Sequence, residues 1–243
     1  MKNEEKIEQN ELDKIISAIL VHRNPNMLVW DYKDKINTDN HNNKKLDEYN
    51  ILLSSVNYFF KKILKYEIYF ADFYPNTKVI TKAEALEYHI YAYLQYMVIL
   101  KNKLTTFFGV LKNDLKKIAS NKQEIDLALK FIIGKIEETF NDVKKHRNPH
   151  HHKGYRFLNG DLVDSDMWNT MLKDDFPLKD RVNVKFVKQK EIESFEKAKS
   201  DYIELSRKNN EQITDLINTV VERNKDFIYK VLNIKSIKEA MDK

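Results

Sequence analysis

Apolar residues recur every third or fourth position along most of this chain, the period of a helix buried on one face. Ile7, Leu12, Ile15, Ile16, Ile19 and Leu20 predict a short amphipathic helix that stops at the turn His22-Arg23-Asn24-Pro25. A polar stretch over 37–43 (NTDNHNN) predicts a loop or linker, so residues 1–43 form an N-terminal extension. From Lys44 the pattern is regular: Leu46, Tyr49, Leu53, Val56, Phe60 and Ile63 predict a long helix to about Tyr69, broken at Pro75-Asn76.

Thr81-Lys82-Ala83-Glu84 has the spacing of a capping box, in which the Thr hydroxyl and the Glu carboxylate each take one orphan N–H. Behind it Leu86, Ile90, Tyr93, Met97, Leu100, Leu104, Phe107, Leu111, Leu115 and Ile118 form one stripe on a second long helix, with a bend expected at Gly109. Asn121 and Glu124 offer another capping box. The third helix follows, with Ile125, Leu129, Ile132, Ile136, Phe140 and Val143 on one face.

The period is lost over 153–189, where Asn159-Gly160 and Phe176-Pro177 read as turns. Alternation from Arg181 to Val187 (RVNVKFV) predicts a short strand or hairpin. A fourth long helix is expected from about Glu191, with Ile192, Phe195, Tyr202, Leu205, Ile213, Leu216, Val220, Phe227 and Val231 inward. Its polar centre over 206–212 (SRKNNEQ) reads as a loop, a helix break, or polar groups facing a wet cleft. The expected fold is all-α: an up-and-down four-helix bundle over 44–235, with the 153–189 insertion and a tail at 236–243.

Composition agrees. Four Gly and four Pro among 243 residues are too few for the turns of an all-β fold, and the 33 % charged residues suit long exposed helix faces. The absence of cysteine excludes disulfides and thiolate metal sites. The start Met1-Lys2-Asn3-Glu4-Glu5 has no apolar leader core, and no window reaches the roughly 18–20 apolar residues of a membrane span. The expectation is a cytoplasmic protein with no membrane contact. A net charge of +5 permits a polyanionic partner without requiring one.

Charge clustering says more than the total. Between Asp142 and Asp161 lie Lys144, Lys145, Arg147, Lys153, Arg156 and four of the seven histidines, with no acid. Counting on from Val143 along the inward stripe, the next position is Arg147, where Pro149 is expected to end the helix. A guanidinium aimed at the inward side needs an acid, water or an anionic ligand. Arginine forks onto phosphate, and histidine exchanges protons near neutral pH. An RNA phosphodiester uses both. A basic helix end also complements the helix dipole without any function, so the combination carries the reading, not the charge alone.

Arg147, then Asn148, then His152 after four intervening residues resembles the Arg-x4-6-His signature of HEPN domains (higher eukaryotes and prokaryotes nucleotide-binding). The resemblance spans about 44–235, with only the motif specific. It implies a homodimer with two motifs facing each other and metal-independent RNA cleavage, in a family rich in toxins and anti-phage effectors. It also includes non-catalytic nucleotide-binding members. In that framework Arg147 and His152 are catalytic, with Asn148 orienting the phosphate or the imidazole. His151, Lys153, Tyr155 and Arg156 line the substrate, no cofactor or metal is needed, and an antitoxin or nucleotidyltransferase is a candidate partner.

Other features are weaker. His89 reads as a half-buried packing residue. Lys112, Lys116, Lys117 and Lys122 read as a solvated face, and the earlier His22-Arg23-Asn24-Pro25 copy as coincidence. His146, His150, His151 and His152 would hold zinc only if their nitrogens converged, and neighbouring loop histidines usually point apart.

Overall fold

The computed structural model describes residues 11–23, 40–75, 79–141, 143 and 159–234. Among them the fold is an all-α packed helical bundle: α1 Glu11–Arg23, α2 Asn40–Leu64, α3 Tyr66–Asp72, α4 Lys82–Ile118, α5 Lys122–Thr139, α6 Gly160–Leu172 and α7 Val184–Leu232. A short 3-10 turn, Lys179–Arg181, precedes α7, and no strand occurs among the described residues.

Local chemistry sets several helix starts. At α4 the Thr81 N–H donates to Glu84 Oε2 (2.7 Å) and the Glu84 N–H to Thr81 Oγ1 (3.0 Å), the reciprocal capping box expected from sequence. At α5 the Glu124 N–H reaches Asn121 Oδ1 at 3.3 Å. The long α4 continues through Gly109 without interruption.

The strand expected at 181–187 is absent. Asn183 Oδ1 accepts the Phe186 N–H (3.2 Å), so the alternating run becomes the first turn of α7, which starts at Val184 and not near Glu191. An isolated hairpin has little stability in water, whereas a capped extension of a 49-residue helix adds one backbone bond per residue. The Asn159-Gly160 turn is likewise a helix start, with the Asn159 side chain accepting from the Leu162 N–H of α6 at 3.2 Å. The first long helix, expected to about Tyr69, instead stops at Leu64, turns at Lys65 and resumes as α3.

The chain divides into two compact units: Met1–Phe60, Leu100–Thr139 and Ile213–Lys243 form the first, Lys61–Ile99 and Phe140–Gln212 the second. In the first unit the stripes meet as expected, with Leu12, Ile15, Leu53, Val56, Leu104, Phe107, Leu129, Ile136 and Ile213 all buried. Ion pairs hold α5 to α4: Asp126 takes Lys112 (2.7 Å) and Lys116 (2.6 Å), and Glu137 takes Lys101 (2.5 Å). Asn57 of α2 donates to Asp13 of α1 at 2.8 Å.

The second unit is built on aromatic packing. Phe70 meets Tyr93 edge-on at 5.6 Å and Tyr202 at 5.9 Å, and Tyr74 meets Phe195 at 5.2 Å. Such pairs add about 0.5–1.5 kcal/mol to the burial of the rings themselves. Lys197 of α7 holds both oxygens of Asp161 (2.8 and 3.0 Å), and Trp168 of α6 meets Phe186 at 6.3 Å.

Four residues assigned to the seam lie outside it: Ile118, Ile192, Leu205 and Phe227 are between 39 % and 54 % exposed. The inward face of α7 instead takes Ala198, Ser206 and Asn224, which a hydropathy pattern passes over. Ser206 and Asn224 pack inward because each side chain bonds its own helix backbone, Ser206 Oγ to the Ile203 carbonyl (2.8 Å) and Asn224 Nδ2 to the Val220 carbonyl (2.7 Å). Thus the polar centre at 206–212 is unbroken helix.

Candidate functional site

The residues singled out from sequence, Arg147, Asn148, His151, His152, Lys153, Tyr155 and Arg156, together with His146 and His150, lie outside the described residues. The scaffold on both sides is described. On the approach Leu129, Ile132, Ile136, Phe140 and Val143 are buried at spacings of three and four. That is the stripe whose sequence continuation, four positions on, is Arg147. On the far side the chain re-enters at the Asn159 cap of α6, a helix carrying Asp161, Asp164 and Asp166 and no basic residue. Val143 and Asn159 both belong to the second unit.

His89 is a packing residue, as expected. Its Nε2 lies 2.7 Å from the Phe73 carbonyl at the end of α3, so in the neutral ring Nε2 carries the proton and Nδ1 is the acceptor. Tyr69, Phe73, Tyr74 and Tyr88 surround it. Of the lysines read as a solvated face, Lys112 and Lys116 are held by Asp126, and Lys117 by Asp114 at 2.8 Å. In the first His-Arg-Asn-Pro copy, His22 Nδ1 sits 2.8 Å from the Ala18 carbonyl, within α1. No group of three or more potential metal ligands occurs among the described residues.

Three polar features were missed. Asp114 is nearly buried and gathers Tyr49 Oη (3.2 Å), Lys117 Nζ (2.8 Å) and Lys45 Nζ (3.4 Å). Burial works against its charge, but the Lys117 hydrogen bond and the Lys45 charge outweigh it and hold the carboxyl below its usual range. An acid between Leu111 and Leu115, the end of an apolar stripe, was the signal available. In the second unit the buried Tyr93 hydroxyl is pushed up to about 12, chiefly by burial. The Asn209 side chain opposes this weakly, without reaching hydrogen-bond geometry. Half-buried Glu191 is raised, by burial and then by Glu196, against the Lys82 charge.

An open groove of about 500 Å3 follows α7 past Ser200, Ile203, Glu204, Arg207, Lys208 and Glu211. Its Arg207 is already engaged, Nε and Nη2 meeting Glu67 Oε1 at 3.0 and 2.5 Å. Two further acids and one lysine leave no concentrated charge for a phosphate. These described groups are structural ion pairs and packed phenols. None forms a nucleophile–base pair.

No described helix is long and apolar enough to cross a membrane. Comparison of the chain with family models, curated proteins and solved structures finds no match.

Proposed function

We propose that this protein is a metal-independent endoribonuclease of HEPN type, acting in the cytoplasm as a toxin or anti-phage defence effector. One observation carries the reading: Arg147 and His152 enclose four residues, with Asn148 in the polar position, in an acid-free segment directly following a long helix of an all-α chain. The buried stripe ending at Val143 supports it, because its period reaches Arg147 next.

The chemistry is transesterification. A histidine accepts the 2′-OH proton while the 2′-oxygen bonds to phosphorus and the bond to the 5′-oxygen breaks. A second acid returns a proton to the departing 5′-oxygen, leaving a 2′,3′-cyclic phosphate and a 5′-hydroxyl. His152 suits either proton transfer because imidazole titrates near neutrality. Arg147 offsets the charge added at the phosphorane-like transition state. Asn148 orients the phosphate or the ring, and His151, Lys153, Tyr155 and Arg156 contact flanking nucleotides. In a homodimer the two His152 copies divide the base and acid roles. Activity is held in check by an antitoxin or nucleotidyltransferase partner.

The test is cleavage of a labelled single-stranded RNA by the intact protein in EDTA, beside Arg147→Ala and His152→Ala. Loss of at least about 100-fold in both variants, with helical circular dichroism unchanged, is expected. RNA binding without turnover would instead make the protein a non-catalytic nucleotide-binding relative. Full activity in both variants would refute the site.

A further inference from the structure

The face built from α3 and the first turns of α4 shows more aromatic surface than the core of the second unit uses. Phe73 is 64 % exposed and Tyr88 69 %. Their rings stand with Tyr69 about the His89 imidazole at 6.5, 6.0 and 6.1 Å, the Tyr69 ring near-parallel to it at 12°. The 2.7 Å bond from His89 Nε2 to the Phe73 carbonyl fixes this arrangement, so the outer rings rest on a rigid backing. Phenol oxygens gather beside them: after burial, the nearby hydroxyls of Tyr96, Tyr69 and Tyr88 are what raise Tyr66.

Charge on this face favours a cation. Asp72, exposed, immediately precedes Phe73, and Glu84, also exposed, lies one turn before Tyr88 on the same helix. Glu84 spends one oxygen on the Thr81 N–H and keeps the other. Among the described residues nearby, Lys82 lies over the Phe195 ring at 5.7 Å and Arg207 pairs with Glu67. Large exposed rings on a rigid backing mark an interaction surface. Aromatic faces attract cations, and guanidinium stacks on a ring while donating in its plane to carboxylate and phenol oxygens. The same two carboxylates repel a phosphate backbone.

We propose that Tyr69, Phe73 and Tyr88, flanked by Asp72 and Glu84, form a docking surface for an arginine-bearing peptide segment of a protein partner. The surface is independent of the ribonuclease reading. On a chain with net charge +5, a cationic peptide finds no general attraction, so its binding reports a local site.

Fluorescence anisotropy of the full chain with a labelled Gly-Arg-Gly-Ser repeat peptide tests this, beside the same peptide with neutral citrulline for arginine. Saturable binding is expected, weaker by about tenfold or more for citrulline and for the Phe73→Ala/Tyr88→Ala variant. Asp72→Asn/Glu84→Gln should weaken it several-fold, and Arg147→Ala should leave it unchanged. Because the replaced rings are exposed, the fold is expected to survive, which circular dichroism checks. No binding at about 1 mM peptide, equal binding by citrulline, or full affinity in the ring variant would overturn the proposal. So would a labelled single-stranded RNA losing affinity in that variant while the peptide does not, which would make the face a base-stacking platform. Loss of self-association alone in the variant would make it a contact between copies.

Discussion

Replacing Asp114 with alanine tests the best-defined buried polar contact of the first unit. The carboxylate accepts from the Tyr49 hydroxyl at 3.2 Å and pairs with Lys117 at 2.8 Å and Lys45 at 3.4 Å. Tyr49 is fully buried, so Asp114→Ala strands its hydroxyl, at a cost of about 1–3 kcal/mol. Lys117 is 72 % exposed and solvent screens its pair; the less exposed Lys45 contributes up to about 1 kcal/mol. The expected loss is about 1–4 kcal/mol, read from urea unfolding followed by circular dichroism. Tyr49→Phe keeps both lysine pairs and should lose only about 1–2 kcal/mol. Because the Asp114 carboxyl is held below its usual value in the folded protein, its contribution is complete above the unfolded value near pH ~4 and disappears as pH falls through the folded one. Asp114→Asn should therefore flatten the acid side of the stability profile. A loss under about 0.5 kcal/mol in Asp114→Ala, or an equal loss in Tyr49→Phe, would refute this account.

Further predictions follow from single positions. A Cβ on Gly134 meets nothing within 4 Å in the middle of α5, so Gly134→Ala should raise stability by about 0.5–1 kcal/mol; a lower melting temperature would show that the position serves a contact the chain does not make with itself. Ser165 of α6 is fully buried with no hydrogen-bond partner for Oγ among the described residues, and Ser165→Ala should be neutral or stabilising by up to about 1 kcal/mol in chemical unfolding. Asn183→Ala removes the cap of α7 and should cost about 1 kcal/mol, whereas a strand at 181–187 would make the change nearly silent.

The long periodic elements were legible because each satisfies its own backbone and needs the rest of the chain only for its buried stripe. On α2, all six residues named from the pattern, Leu46 through Ile63, are buried. The Thr81–Glu84 box was legible for a similar reason, since its two hydrogen bonds close within four residues. The basic segment with Arg147 and His152 stood out by composition and spacing alone, and its chemistry is a sequence inference that the flanking helices support only as a frame.

What tertiary structure decided is where short-range signals compete. Alternation over 181–187 fits a strand as well as a helix start, and the Asn183 cap, joined to a helix with a face to bury, decides for helix. Hydropathy assigned Ile192, Leu205 and Phe227 inward, but over 49 residues the face of α7 is set by its neighbours, which accept Ala198, Ser206 and Asn224 in their place. Small residues allow close approach, and Ser or Asn can go inward once its own helix satisfies it, a condition that hydropathy does not carry. The same holds for Asp114, Phe73 and Tyr88. Whether a carboxylate is buried among cations, or a ring left outside, depends on residues distant in sequence that folding brings near.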